Sequence, residues 1–307
     1  MVKDFYTTPA ICLSHLAEVY ARHSSSVASE LASISELSAS VSALREMPPE
    51  AYWAALTLIP RGHLTVSDIQ PVARALNRAA TKKFGAIDVI GKENATEEDQ
   101  AALKIISGNV YGGASASKST LAAGIDNYRY KIASALERIK QCWPEAAVEM
   151  SLLIDRVLVL DRTELSASHD QMFGIVFAGT HWFDTTARTM EVLLHECGHH
   201  SMFLRTARIT YLTNPNLVVS HPLRPDPRPL FGTLHAAFVL WRMHQGLARW
   251  VEYSSAPEGS DEYRMMVNDR TKLQACLEIL DKTAEWTDIG RALFDSIMQG
   301  IRTEYVR

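Results

Sequence analysis

The stretch TTARTMEVLLHECGHHSMFLR, residues 185–205, carries an HExxH sequence, His195-Glu196-Cys197-Gly198-His199, inside a largely apolar run. It contains no proline, Asp184 precedes it as a capping residue, and Met190, Leu193, Leu194 and Cys197 recur at helical spacing, so it reads as one helix. Helical residues four apart share a face, so the imidazoles of His195 and His199 can reach one ion while Glu196 stands beside it. Gly198, without a Cβ, lets another segment approach closely. The competing reading of a bare HExxH is a buried helix whose histidines are satisfied by hydrogen bonds.

Outward from this helix the texture changes. On its N-terminal side the short apolar runs 157–160 and 175–177 read as two strands that pair. Between them the polar connection 163–170 holds Ser168 and His169, candidates for lining a substrate site. Earlier still, Val27, Leu31, Ile34, Leu37, Val41 and Leu44 describe a helix ended by Pro48 and Pro49, and further helical patterns run through 66–83, 97–106 and 121–143. A Gly/Ser-rich break at 112–119 lacks the order of a phosphate-binding loop. Beyond Ala256 the chain reads as helical, with Leu273, Cys276, Leu277, Leu280, Leu293, Ile297 and Ile301 on apolar faces.

The expected fold is therefore mainly α (α+β): a helical N-terminal half, short strands leading into the HExxH helix, and a helical C-terminus. The expected organisation is a helical region over 1–150, a core over 151–255 and C-terminal helices over 256–307, which can equally form one compact domain.

The chain of 307 residues is 47% hydrophobic, enough to bury a large core, and its net charge of −4 gives no reason to expect nucleic acid as a partner. No apolar stretch approaches a membrane span, and the opening MVKDFYTTPAICLSHLAEVY has charges and a proline where a signal peptide needs an unbroken apolar core. The expectation is a cytoplasmic protein with no membrane partner. Cysteines at 12, 142, 197 and 276 form no CxxC pair, so any metal must use histidine and carboxylate. Between Arg205 and Val251 stand arginines 205, 208, 224, 228, 242 and 249, no lysine and the single acid Asp226. Such a cationic stretch is either a solvated face or a grip on a small dianion or acidic peptide.

A catalytic ion usually takes three protein ligands. His200 points about 100° away from His199 on the helix and does not share its ion. His221, His235, His244 and Glu252 stay open as third ligands, and the metzincin pattern is absent because Met202 and Arg205 occupy its later positions.

HECGHH followed by HPLRPDPRPLFGTLHAAFVLWR resembles the HExxH-domain family of peptide-modifying proteins described as 2-oxoglutarate-dependent HExxH-type peptide β-hydroxylases. The likeness spans roughly 157–249 and rests on three ordered blocks: the HExxH helix, Asp226 to Leu230, and Leu234-His235 with Trp241-Arg242. Ala236 departs from the pattern, where glycine is expected. The resemblance implies that His195, His199 and His235 hold Fe(II), with Glu196 handling protons as a catalytic group. It implies that Arg228 and Arg242 bind 2-oxoglutarate, which is consumed with O2 to hydroxylate a β-carbon in a ribosomally synthesised precursor peptide. Trp241, with Ser168 and His169, becomes a candidate for binding that peptide. Three histidines also suit zinc, so an HExxH zinc metallopeptidase is the first alternative and a non-catalytic peptide-binding module the second.

Overall fold

Residues 156–160 form a run without exposed positions, as expected of a strand covered on both faces. In the computed structural model, which describes residues 86–109, 120–161, 163, 165–206 and 209–303, this run is the centre of a small sheet. The expected helices at 27–44 and 66–83 and the Gly/Ser-rich break at 112–119 lie outside the described residues. In chain order the elements are β1 (Asp88–Ile90), α1 (Glu97–Asn109), β2 (Thr120–Leu121), α2 (Ile125–Cys142), α3 (Pro144–Leu153), β3 (Arg156–Asp161), β4 (Ser166–Ala167) and β5 (Ile175–Gly179). There follow α4 (Thr186–Thr206), β6 (Val218–Val219), β7 (Arg228–Pro229), α5 (Leu230–Ser254), α6 (Asp261–Thr283) and α7 (Asp288–Thr303). The protein is mainly α with a few short strands, as the sequence leads one to expect. No helix among the described residues is long and apolar enough to cross a membrane.

Contacts divide the described chain into two units that do not follow sequence order. The first, a sheet unit, takes residues 86–133 and 148–184; the second, a helical unit, takes 134–147 and everything from 185 onward.

In the sheet unit β3 pairs in parallel with β1 and β5, β2 closes antiparallel on the far end of β3, and β4 closes antiparallel on β5. The two strands read from sequence thus pair, with Val157 opposite Val176 and Leu158 opposite Phe177. Leu121, expected at the start of a helix, instead pairs with Leu160, and α2 begins only after Gly124, whose φ of 75° breaks the chain direction. A pairing two residues long leaves no periodicity to read. Helix α1 packs Ala102, Leu103 and Ile106 against Leu158 and Phe177 of the sheet. Its first turn is a reciprocal box: Thr96 N–H donates to Asp99 Oδ2 at 2.9 Å and Asp99 N–H donates to Thr96 Oγ1 at 3.3 Å. The other carboxylate oxygen of Asp99 accepts from Arg156 Nη1 at 2.7 Å, both side chains being buried, so one residue joins the helix start to the first residue of β3.

In the helical unit α5 packs against α4 on one side and α6 on the other. The pairs His199 with His235, His195 with Met243 and Leu194 with Gly246 run in opposite senses, so α4 and α5 are antiparallel. Small residues permit the approach: a Cβ on Gly198 would lie 3.3 Å from Val239 Cγ2, and one on Gly246 would lie 2.3 Å from Leu194 Cδ1. Helix α4 starts one residue later than Asp184 allows as a cap. The Thr185 hydroxyl accepts from Arg188 N–H at 3.2 Å, so of two adjacent residues able to cap, the second does so. Asp184 instead ends the short 3-10 turn Thr180–Phe183, its N–H donating to the His181 carbonyl. Cys142, Cys197 and Cys276 form no disulfide.

Candidate metal centre

His195 and His199 project from one face of α4 with their rings 4.7 Å apart, as the four-residue spacing requires. Their Nε2 atoms stand 3.0 Å from each other. Helix α5, held antiparallel by the glycine contacts, brings His235 to the same place, its Nε2 2.8 Å from His199 Nδ1. Glu196 is fully buried and its Oε1 lies 3.8 Å from His195 Nε2. One donor atom each from His195, Glu196 and His199 falls within 4.8 Å of the others, a grouping able to hold a metal ion.

The walls are aromatic. Phe203 of α4 stacks on His199 with centroids 6.3 Å apart and meets His235 edge-on at 5.4 Å, while Phe231 meets His235 at 5.9 Å. Burial, reinforced by His235 and Lys272, lowers His195 to about 4. Burial alone lowers His235 to about 4. Burial, then the neighbouring histidines and Arg224, holds His199 well below its usual value. At neutral pH these rings are uncharged, the form in which imidazole binds a metal.

The donor set fits a cation. Two nitrogens each about 2.1 Å from one ion stand roughly 3.0–3.4 Å apart at octahedral to tetrahedral angles, and the 3.0 Å His195–His199 spacing falls at the octahedral end. With Nδ1–H of His195 donating to Met243 Sδ, at 3.1 Å, its Nε2 keeps the lone pair that a ligand needs. His199 turns one nitrogen to His195 and the other to His235, and an imidazole gives one ion one nitrogen. Seating His235 on the same ion therefore requires a turn of its ring or that of His199.

The other candidate ligands sit elsewhere. His200 is fully buried, with its ring edge-on to Phe203. Nδ1–H of His244 donates to the Met266 carbonyl at 3.1 Å, and His221 Nδ1 accepts from Leu223 N–H at 3.2 Å. Glu252 is exposed, about 25 Å along α5 from His235, so it is not the third ligand of a gluzincin arrangement.

The two arginines implied by the resemblance occupy different surroundings. Arg242 is buried on α5 with its guanidinium 5.3 Å above the Trp143 ring, and Arg249 lies 5.1 Å from that same ring. Arg228 is exposed in β7, where its charge acts on His221. Trp241 sets its indole nitrogen beside Gly300 of α7, 3.2 Å from where a Cβ would stand there. Ser168 and His169 belong to the sheet unit, where His169 Nδ1 meets Asp170 Oδ1 at 2.9 Å.

Sequence reading missed Lys272, Glu191 and Asp269, and took Arg224 only as one of the arginines of the cationic stretch. Arg224 and Lys272 place positive charge on His199 and His195 respectively. Glu191 and Asp269 are buried carboxyl groups within reach of Lys272. Glu191 was legible, standing four residues before His195. Arg224, in a loop, and Asp269 and Lys272, two helices away, reach the site only through the fold. Comparison with known proteins finds neither a family model nor a curated sequence that matches this chain.

Proposed function

We propose that this protein is an Fe(II)- and 2-oxoglutarate-dependent oxygenase that hydroxylates a β-carbon in a ribosomally synthesised peptide, with His195, His199 and His235 as metal ligands. The observation carrying this reading is the meeting of His235 with His199, because it joins the Leu-His block of α5 to the HExxH helix as the resemblance requires. Iron bound with 2-oxoglutarate and O2 supplies the oxidising power to functionalise an unactivated C–H bond. The chain's own part is to present uncharged imidazoles, to wall them with Phe203 and Phe231, and to set cations near the centre suited to an anionic cosubstrate. Arg224 and Lys272 act on the histidines and so join Arg228 and Arg242 as candidates for gripping its carboxylates.

One observation favours a second reading. Glu196 Oε1 is 3.8 Å from His195 Nε2, the neighbourhood from which a carboxylate serves a zinc hydrolase as base. Its complete burial argues against that, since a base in peptide hydrolysis must meet both water and the scissile carbonyl. Anaerobic reconstitution with Fe(II), then 2-oxoglutarate, separates the two. A weak visible charge-transfer band that disappears in His195→Ala is the expected result. Absence of the band, together with zinc-dependent cleavage of peptides, overturns the oxygenase.

A further inference from the structure

Two buried carboxyl groups lie outside the histidine group with no hydrogen-bond donor. Asp269 of α6 has 0% exposure and neither of its oxygens has a partner. Glu191 of α4 is 8% exposed and lies close enough for its charge to act on Asp269. Among the described residues no cation closes an ion pair with either group. Lys272 acts on both, and Arg188 on Glu191, without reaching ion-pair contact.

A buried carboxylate without a donor is costly, and the charge of a second buried carboxyl acting on it adds to the cost. A proton is the simplest remedy. Burial raises Glu191 to about 7 against the opposing charges of Lys272 and Arg188. Burial and then Glu191 raise Asp269 to about 8, opposed by Lys272. The pair therefore retains proton at neutral pH, as coupled carboxyls do.

Its position links it to the metal centre. Glu191 stands one helical turn before His195 on the same face of α4, and Lys272 acts on Glu191, Asp269 and His195 alike. Helix α5, packed on both α4 and α6, contributes His235 at the centre and His244, whose ring is bonded to the Met266 carbonyl one turn before Asp269.

We propose that Glu191 and Asp269 form a proton-exchanging pair for the metal centre, protonated while no cation is present and ionised when a divalent cation is seated at His195 and His199. This rests on the metal-centre reading above. In the exchange a carboxyl O–H bond breaks, its electron pair stays on the oxygen, and the proton passes to solvent. The resulting negative charge sits one helical turn from the cation and offsets part of its charge. Imidazoles already neutral have no proton to give, so this pair makes metal loading depend on pH where the histidines alone do not.

Calorimetric titration of the chelated full-length protein with Zn2+, at neutral pH in two buffers of different ionisation enthalpy, counts protons released per ion. The wild type is expected to release about one proton more than Glu191→Gln/Asp269→Asn, and the double variant to bind zinc about tenfold or more weakly. The difference in proton count should vanish at about pH 9, above the titration of both groups. The negative charge of the ionised pair makes a zinc-bound water harder to ionise, so water ionisation cannot account for an excess of protons released by the wild type. Equal counts with zinc binding intact overturn the pair alone; failure of the wild type to bind zinc overturns both the pair and the metal-centre reading. Asp269→Asn by itself, checked for folding by thermal melting, repeats the test should the double variant not fold.

Discussion

At His235 a single imidazole connects two helices. Replacing it with alanine removes the group facing His199 Nδ1 and is expected to weaken metal binding by about 100-fold or more. His244→Ala should change it only slightly, because that ring is spent on the Met266 carbonyl. Equilibrium dialysis against a competing chelator measures both, and equal losses would move the third ligand away from His235. Asp99 offers a test of stability at the same scale. Its carboxylate both closes the first turn of α1 and meets buried Arg156, so Asp99→Ala, which leaves that guanidinium buried without its 2.7 Å partner, should cost about 3–5 kcal/mol in urea unfolding. The two α4 histidines were read from spacing, since helical periodicity fixes their shared face, and Glu191, though missed, stands on that face by the same rule. Asp99 was not: nothing local to Thr96-Glu97-Glu98-Asp99 announces an arginine fifty-seven positions later.

Elements were legible where they were long. The strands at 157–160 and 175–177, the helices at 97–106 and 185–205, and the C-terminal helices appear close to their expected places, because each carries enough turns or apolar positions to show a period. The cap of α4 and the pairing of Leu121 escaped, because both are decided by one or two residues against competing partners. Two substitutions test how element ends are held. Ser255 closes α5 with φ of 53°, a conformation that favours glycine, so Ser255→Gly should stabilise by about 1 kcal/mol. A Cβ on Gly290, in the first turn of α7, would stand 1.8 Å from the Tyr211 carbonyl oxygen, so Gly290→Ala should lower stability by about 1–3 kcal/mol as the backbone shifts. Thermal melting reads both, and an unchanged midpoint for Gly290→Ala would show that the neighbouring loop yields freely.

For the whole molecule the groups shifted on folding oppose each other in their response to pH. His195, His199 and His235 are lowered on folding, so the stability they carry is present above their unfolded value near 6.5 and is lost as pH falls, through about 4 for His195 and His235. Glu191 and Asp269 are raised, so the folded state holds their protons more tightly. Their contribution is full below the carboxylate range near 4 and is lost as pH rises through about 7 and 8. Of these five groups only the carboxyls change between roughly pH 6.5 and 8, and their contribution to the stability of chelated protein should fall there at no more than about 1.4 kcal/mol per pH unit for each proton. Glu191→Gln/Asp269→Asn should flatten that slope in urea titrations at several pH values; an unaltered slope would assign it to other groups.

The order of the chain through its two units has a practical consequence. The chain passes between the units at 133/134, 147/148 and 184/185, the first crossing inside α2 and the second inside α3. No single cut therefore releases either unit whole. A fragment of 151–255 would keep α4 and α5 but lose α6, on which α5 packs, and with it Asp269 and Lys272. Boundaries for expressing a minimal active piece cannot be drawn by trimming from the ends. A gene with an internal deletion, joining 133 to 148 for the sheet unit or 147 to 185 for the helical unit, is the route to either half.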